Sequence, residues 1–231
     1  APIMDGSVLL NNFYALPGTF MLEESSPTSA GNFEWFMKNL FKEYADAFGG
    51  SAVYDDINAG VERVSPKEFC PIFLPFMLGS NVNPIAKGSL IGLNVSHTRS
   101  HLVRGVYEGI AFSHKMHFDN LRRIMDEPPR VIILEGGAAR SKVWVQIFAD
   151  TMQVPVRTIA ATEAGTLGCA MAAAAAVGEY SDLEAASRAM CKIVDEVQPI
   201  AENLPIYEKK YAMYKACIEA LDPVWKSIYE F

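Results

Sequence analysis

Two adjacent glycines, Gly136 and Gly137, are the strongest local signal for chemistry in this sequence. They follow the apolar run at residues 131–134 and precede a segment whose apolar residues recur at helical spacing from about Ser141. Because glycine has no Cβ, its backbone N–H can approach a phosphate or a ribose closely, and the N-terminus of a following helix adds partial positive charge. The residues alone therefore predict either a site for an anion or nucleotide or a purely structural turn.

The glycine spacing disfavours two common nucleotide-binding motifs. The pair does not fit G-x-G-x-x-G, and no G-x-x-x-x-G-K-[ST] occurs anywhere in the sequence. These observations argue against a dehydrogenase and against a P-loop enzyme. A stand-alone oxidoreductase that binds a dinucleotide is therefore the weakest of the alternatives.

Four histidines, His97, His101, His114 and His117, fall on or beside one predicted helix. The spacings within the first and second pair could seat a metal ion, but no Glu stands between His97 and His101 as in H-E-x-x-H. We therefore expect these histidines to lie on a polar helix surface, and we predict no metal site.

Several other side chains are predicted to be structural. Arg99 and Arg104 should form solvated ion pairs on a helix. Glu163 should cap the helix that begins near it, and Asp150 should fix the end of a helix rather than contact a ligand.

Composition and charge limit the class of protein. The 231 residues are half apolar and carry a formal charge of −7, with 20 Lys and Arg but no basic run, so nucleic acid is not an expected partner. The four cysteines are far apart and form no CxxC pair, which is typical of free thiols in a reducing cytoplasm. No apolar stretch is long enough to span a membrane and none resembles a signal peptide, so we expect a cytoplasmic protein.

The elements that must position the glycines alternate between strand and helix. Alternation of this kind predicts a sheet covered by helices. The predicted elements are short strands within residues 1–22, a helix over 32–48, an extended segment at 71–78, a strand at 89–93, a helix from Thr98 to the prolines at 128–129, strands at 131–134 and 154–159, helices at 141–152 and 163–177, and a mainly helical region over 181–231. Residues 49–70 carry no clear pattern. Trp35 and Trp144 stand at helical spacing with other apolar residues, which predicts core packing.

Residues 135–150, followed by Val154-Pro155-Val156, are similar to a hallmark of the FGGY family of carbohydrate kinases. In that family this segment forms the ADP-binding turn. The resemblance continues in the small-residue segment 163–178 and in the segment from Gly88 to Glu108, although Gly105 stands where the family usually has Ala or Ser.

Two segments nearer the start, residues 14–20 and 26–35, resemble the hairpin and the helix start that line the adenine pocket in these kinases. By this match Ala30, Gly31 and Phe33 flank the base, with Phe33 the better candidate for stacking on it. The nucleotide site that the resemblance implies consists of Gly136, Gly137, Ala138, Ser141, Ala30, Gly31 and Phe33.

The resemblance implies an α/β domain of the actin-like, ribonuclease H-like class, with a mixed sheet flanked by helices. Residues 1–231 would form a single C-terminal nucleotide-binding domain, with residues 181–231 as a helical extension packed on it. ATP or ADP, and Mg²⁺ in the intact enzyme, are the implied cofactors. The family's catalytic base and most of its sugar contacts lie upstream of this segment, so we expect no catalytic residue in this chain and no activity from it alone.

The implied reaction is ATP-dependent phosphorylation of a sugar hydroxyl. The resemblance of the sequence of residues 26–36 to ketopentose kinases favours a ketopentose such as xylulose or L-xylulose as the substrate. The expected partners are an adenine nucleotide and a sugar bound through the missing N-terminal domain. A homodimer is an open alternative to a monomer. The alternative is a non-enzymatic nucleotide-binding module that uses the actin-like fold for assembly or regulation.

Overall fold

The computed structural model describes residues 10–161 and 163–230. Within these residues helices cover small sheets, so the α/β organisation predicted from the sequence is confirmed. The predicted strand residues before Leu10 lie outside the described part. In chain order the elements are β1 (Leu10–Phe13), β2 (Phe20–Glu23), α1 (Gly31–Asn39), α2 (Lys42–Phe48), α3 (Ala52–Glu62), β3 (Ile72–Leu74), β4 (Ser89–Ile91), α4 (Arg99–Ile124), β5 (Ile132–Leu134), α5 (Lys142–Met152), β6 (Val156–Ile159), α6 (Ala164–Ala176), α7 (Leu183–Met190), β7 (Ile193–Val197) and α8 (Leu204–Tyr229).

Helix α4 runs through the centre of the core. Its Val103, Val106 and Ile110 are almost completely buried, and the helix contacts α1, α3, α5, α8 and β3. Two glycines one turn apart, Gly105 and Gly109, face β3. A Cβ on either glycine would overlap a main-chain carbonyl oxygen of the extended segment opposite. Glycine at these positions therefore allows the helix backbone to lie directly on the strand.

The largest sheet has the order β5-β6-β7. β5 pairs parallel to β6, with Ile132 opposite Val156, whereas β7 pairs antiparallel to β6, with Val197 opposite Val156. Strand β7 lies in the region predicted to be mainly helical. Its residues 193–196 are exposed, so the strand lacks the alternating apolar pattern that would have indicated it.

A buried cluster of charged side chains joins α4 to α8. The Lys210 ammonium donates to both carboxylate oxygens of Glu108, at 2.8 and 2.9 Å. The Arg104 guanidinium donates to Glu108 at 2.9 Å, to the Val64 carbonyl at 2.8 Å and to the Tyr207 hydroxyl at 3.0 Å. Arg104 is only 3% exposed, so the prediction of a solvated ion pair was wrong for this residue. Every charge in the cluster has a partner, as burial requires.

Helices α4 and α8 are the longest, at 26 residues each. Each of them carries buried charged side chains, Arg104 and Glu108 in α4 and Lys210 in α8. Among the residues that the structure describes, no helix combines the length and the apolar content needed to cross a membrane.

Two differences from the predicted helices concern residues 31–62. The predicted helix over 32–48 is divided into α1 and α2, because the Phe36 carbonyl accepts from both Leu40 N and Phe41 N and the helical ladder ends there. Helix α3 occupies a segment in which the sequence showed no pattern. Its Val53, Ile57 and Val61 do recur at helical spacing and are buried, but the surrounding Gly, Asp and Ser residues obscured that spacing.

Candidate functional site

One cleft of about 540 Å³ brings together most of the residues predicted to bind nucleotide. Ala30, Gly31 and Phe33 line one side of it, and Gly137 and Ser141 line the other. A Cβ built on Gly137 would lie 3.7 Å from the Ala30 Cβ, which is ordinary van der Waals contact. Two segments that are distant in sequence therefore meet at this cleft.

The turn at Gly136 and Gly137 presents unpaired main-chain donors. Gly136 has φ 75°, and Gly137 has φ −61° and ψ −39°. Within residues 10–161 and 163–230, the N–H groups of Gly136, Gly137 and Ala138 have no hydrogen-bond acceptor. Successive N–H groups in a turn of this kind form a concave site for an anion. The Ala138 side chain is buried, so only the backbone of that residue is available to a ligand.

The turn does not lead directly into a helix, as the sequence suggested. A short 3₁₀ turn over Ala138–Arg140 intervenes, and α5 begins at Lys142 with Ser141 as its N-cap. The Ser141 hydroxyl accepts from Trp144 N at 3.2 Å. The bared amides therefore belong to the glycine turn rather than to the first turn of α5.

Ser141 is held by a residue on α3 that sequence reasoning missed. The Ser141 hydroxyl donates to Asn58 Oδ1 at 2.7 Å, and the Tyr107 hydroxyl donates to the same oxygen at 3.2 Å. Burial raises the pKa of Tyr107 well above its ordinary value, so this phenol remains a donor. The Asn58 Nδ2 group has no acceptor within the described part of the chain, and Asn58 lines the cleft. Asn58 rather than Ser141 therefore offers a free side-chain donor at this wall.

The floor of the cleft is aromatic. Phe33 is 6% exposed and contacts Tyr107 and Trp144 edge-on, at ring-centroid distances of 5.1 and 5.9 Å. Tyr107 and Trp144 stack at 3.9 Å. Trp144 is thus a core residue, as predicted, whereas Trp35 is 42% exposed and the prediction of core packing was wrong for it. The aromatic residue with an open surface at the cleft is Tyr54 on α3, at 44% exposure.

Charged side chains stand at the rim of the cleft. Glu34, Asp55 and Arg140 line it, and Glu34 also pairs with Lys38 at 2.9 Å. Arg140 is exposed and forms no ion pair within the described residues, so its positive charge is available to an anionic ligand.

Two acids that the sequence predicted to be structural have different outcomes. The Asp150 carboxylate is 2% exposed and accepts from Ile200 N and Asn203 Nδ2, at 2.8 and 2.7 Å. Asp150 therefore fixes the end of α5 to the chain entering α8, a structural role as predicted. Glu163 occupies the N-cap position of α6, but its side chain forms no capping hydrogen bond, so that prediction was wrong.

The histidines do not share one environment. His97 and His101 lie at the start of α4, where His101 completes a capping box with Thr98. His114 and His117 instead turn toward the segment before α1, and burial lowers the pKa of His114 to about 4, with a further contribution from His117. The prediction of a polar helix surface was therefore wrong for His114. Among the described residues, no group of three or more His, Cys, Asp or Glu side chains could hold a metal ion.

Comparison with known proteins identifies sugar kinases that are similar in sequence to this chain. The L-xylulose/3-keto-L-gulonate kinase of Escherichia coli (strain K12) is 33% identical over 208 residues, which span 90% of this chain and 40% of that protein. A probable L-xylulose kinase of Pasteurella multocida (strain Pm70) is 31% identical, with the same coverage. The chain thus spans about 40% of the length of the curated relatives it matches.

The fold is also shared with solved structures. The crystal structure of xylulose kinase from Rhodospirillum rubrum matches with a TM-score of 0.82 and 26% identity, over 96% of this chain and 44% of that one. This likeness establishes the actin-like α/β fold expected from the sequence. The family model for the C-terminal domain of FGGY carbohydrate kinases matches residues 1–177. With three-quarters of its residues inside that match, the chain belongs to the FGGY family of carbohydrate kinases.

Proposed function

We propose that the cleft binds the adenine nucleotide of an ATP-dependent sugar kinase. The observation that carries this proposal is the set of unpaired N–H groups at Gly136, Gly137 and Ala138, placed beside the cleft that Ala30 and Gly31 line. Backbone donors fixed in this way suit the phosphates or the ribose of a nucleotide. Arg140 adds a positive charge at the rim.

Within this proposal, Tyr54 and Asn58 hold the base. Phe33 has little free surface because its ring is packed against Tyr107 and Trp144, so it supports the pocket from below. Tyr54 has the exposed ring that stacking requires, and the Asn58 Nδ2 group can donate to a ring nitrogen.

The chain would bind and orient the phosphoryl donor, and other parts of the enzyme would complete the reaction. Phosphoryl transfer to a hydroxyl needs a base beside the acceptor and Mg²⁺ around the transferring group. The described residues offer no cluster of metal-ligating side chains. We therefore propose that Mg²⁺ is held by the nucleotide phosphates and by groups outside the described residues, and that the base belongs to the part of the relatives that this chain does not cover.

We propose a sugar, and more narrowly a ketopentose such as xylulose, as the acceptor. Support comes from the relatives named as L-xylulose kinases and from the structural neighbour named as a xylulose kinase. The relatives extend beyond the part that this chain matches, and we propose that their remaining part supplies the rest of the substrate cleft. The chain alone is therefore expected to bind nucleotide without transferring phosphate.

Calorimetric titration of the chain with ADP and, separately, with NAD tests the nucleotide proposal. We expect binding of ADP and no heat with NAD. Binding of NAD without binding of ADP would overturn the proposal, because it would indicate a dinucleotide site.

A second assay tests the enzymatic part. A full-length protein that contains this chain should consume ATP only when D-xylulose, L-xylulose or another sugar from a panel is present. Nucleotide binding without ATP consumption in the presence of any sugar would favour the non-enzymatic actin-like module.

A further inference from the structure

Outside the nucleotide cleft, Glu24, Ser26 and His117 form a hydrogen-bonded chain. His117 Nε2 lies 2.7 Å from Ser26 Oγ, and His117 Nδ1 lies 2.9 Å from Glu24 Oε2. The side chains of His117 and Glu24 are 20% and 9% exposed, so the chain of hydrogen bonds is largely shielded from water. Ser26 follows β2, and His117 belongs to α4.

The order of the three groups fixes the role of the histidine. A carboxylate accepts hydrogen bonds only, so the Glu24 contact places the proton of a neutral His117 on Nδ1. Nε2 then carries the lone pair and accepts the Ser26 hydroxyl proton. A serine hydroxyl that is hydrogen-bonded to a base, with the base oriented by a third group, is the arrangement that activates serine for attack on a carbonyl carbon.

A second cleft, of about 80 Å³, opens onto this group. Ser26 and His117 both line it, and it shares no lining residue with the nucleotide cleft. Its remaining wall is largely apolar, through Phe76, Met116 and Ile218. The volume and the apolar wall suit a short acyl chain.

Main-chain donors are present at the same cleft. Asn81 and Val82 line it, and their N–H groups have no hydrogen-bond acceptor within residues 10–161 and 163–230. Unpaired N–H groups are the donors that a carbonyl oxygen needs when it becomes negatively charged.

We propose that Ser26 is a reactive nucleophile that accepts short acyl groups from activated esters. Ser26 Oγ attacks the ester carbonyl while its proton moves to His117 Nε2. The bond from the acyl carbon to the leaving oxygen then breaks, and that oxygen takes the proton from His117. Water attacks the acyl-Ser26 ester in the same way, which releases the carboxylic acid and restores the serine.

The chain contains a matched internal control. Ser29 Oγ lies 2.7 Å from His114 Nε2, the same contact as between Ser26 and His117. His114 Nδ1 has no carboxylate partner among the described residues, and neither Ser29 nor His114 lines the apolar cleft. Ser29 should therefore remain unreactive.

Labelling with a fluorophosphonate, followed by peptide mapping, tests the proposal on the unaltered chain. The probe phosphonylates an activated serine with loss of fluoride. We expect the label on Ser26. An unlabelled chain, or a label confined to other residues, would overturn the proposal whatever the variants do.

Variants then test the roles of the partners, with p-nitrophenyl acetate as substrate. Ser26→Ala should abolish labelling and hydrolysis above background. Glu24→Gln keeps an acceptor for Nδ1 but removes the charge, and should slow both by about tenfold or more, since assisted proton transfer is worth roughly 10²–10⁴ in rate. Ser29→Ala should leave both within about twofold. Equal rates in Glu24→Gln and the unaltered chain would contradict the proposed activation.

Discussion

At the scale of single residues, the two glycines of the predicted turn are there for different reasons. Gly136 has φ 75°, a conformation that side chains rarely adopt, so the backbone requires glycine. Gly137 has an ordinary helical conformation, and a Cβ there would meet no atom closer than 3.7 Å. Neither strain nor packing explains Gly137, whereas access of the proposed nucleotide to the bared N–H groups would.

The first prediction concerns this access. Gly137→Val should raise the dissociation constant for ADP about tenfold or more, because its branched side chain covers amides whose bonds to a charged group are worth about 1.5–3 kcal/mol each. Calorimetry measures the affinity. Ala139→Val is the control, since Ala139 belongs to the same turn but does not line the cleft. Unchanged affinity in Gly137→Val would show that the turn is structural only.

The second prediction assigns the stacking aromatic. Tyr54→Ala should weaken ADP binding roughly fivefold to hundredfold, the range expected when one base loses a stacking partner worth about 1–3 kcal/mol. Tyr54→Phe keeps the ring and should bind ADP as the unaltered chain does. If both variants bind equally well, the base does not stack on Tyr54.

At the scale of elements, α4 contributes both to the packing of the core and to the cleft. One face carries Gly105 and Gly109 and lies directly on β3. Between these two glycines in sequence, Tyr107 lines the cleft proposed to bind nucleotide, and Glu108 holds the charged cluster shared with α8. The departure at residue 105, where the family usually has Ala or Ser, is explained by this close approach to the Pro71 carbonyl.

The third prediction compares two glycines in helices. Gly105→Ala should lower the free energy of unfolding by about 1–3 kcal/mol, because the added methyl group forces α4 away from β3. Gly168→Ala on α6 has open space around the new methyl group and should raise that free energy by up to about 1 kcal/mol. Urea denaturation measures both. A stabilising effect of Gly105→Ala would mean that helix and strand are farther apart than described.

At the scale of the whole molecule, residues distant in sequence secure the packing through buried polar groups. The cluster of Arg104, Glu108 and Lys210 joins α4 to α8, and His114 joins α4 to the loop before α1 through Ser29. Such groups are stable in the interior only in particular protonation states. Stability should therefore depend on pH.

The fourth prediction concerns His114. Burial, reinforced by the charge of His117, lowers the pKa of His114 to about 4, from the value of 6.5 expected in the unfolded chain. Between these values the unfolded chain binds the extra proton, so stability falls as pH decreases from about 6.5 to 4 and is fully present above that window. The loss attributable to this group is about 3 kcal/mol.

Denaturation of the unaltered chain and of His114→Gln at several pH values checks this. The glutamine can still donate to Ser29 but does not titrate. The unfolding free energy of the unaltered chain minus that of His114→Gln should therefore decrease by about 3 kcal/mol as pH falls through the window. His97→Gln, just before the start of the same helix, is the control. Curves for the unaltered chain and His114→Gln that remain parallel would contradict the prediction.

Those features of the fold that depend on residues close together in the sequence could be predicted from it. The alternation of strand and helix indicated the α/β fold, and the motif around Gly136 and Gly137 indicated the turn and its family. Helix α3 and strand β7 were not predicted. Polar residues dilute the apolar spacing of α3, and the exposed residues of β7 lack alternation because that strand is fixed by pairing with β6.

By itself, then, the sequence determined the fold class, the family and the glycine turn, since each is encoded in local patterns of side-chain type and spacing. Only the tertiary structure decided which side chains meet. It buried Phe33, left Tyr54 open, aimed Asn58 at the cleft and set Ser26 beside His117. The physical reason is that such contacts arise from the packing of whole helices against one another, which no short stretch of sequence specifies.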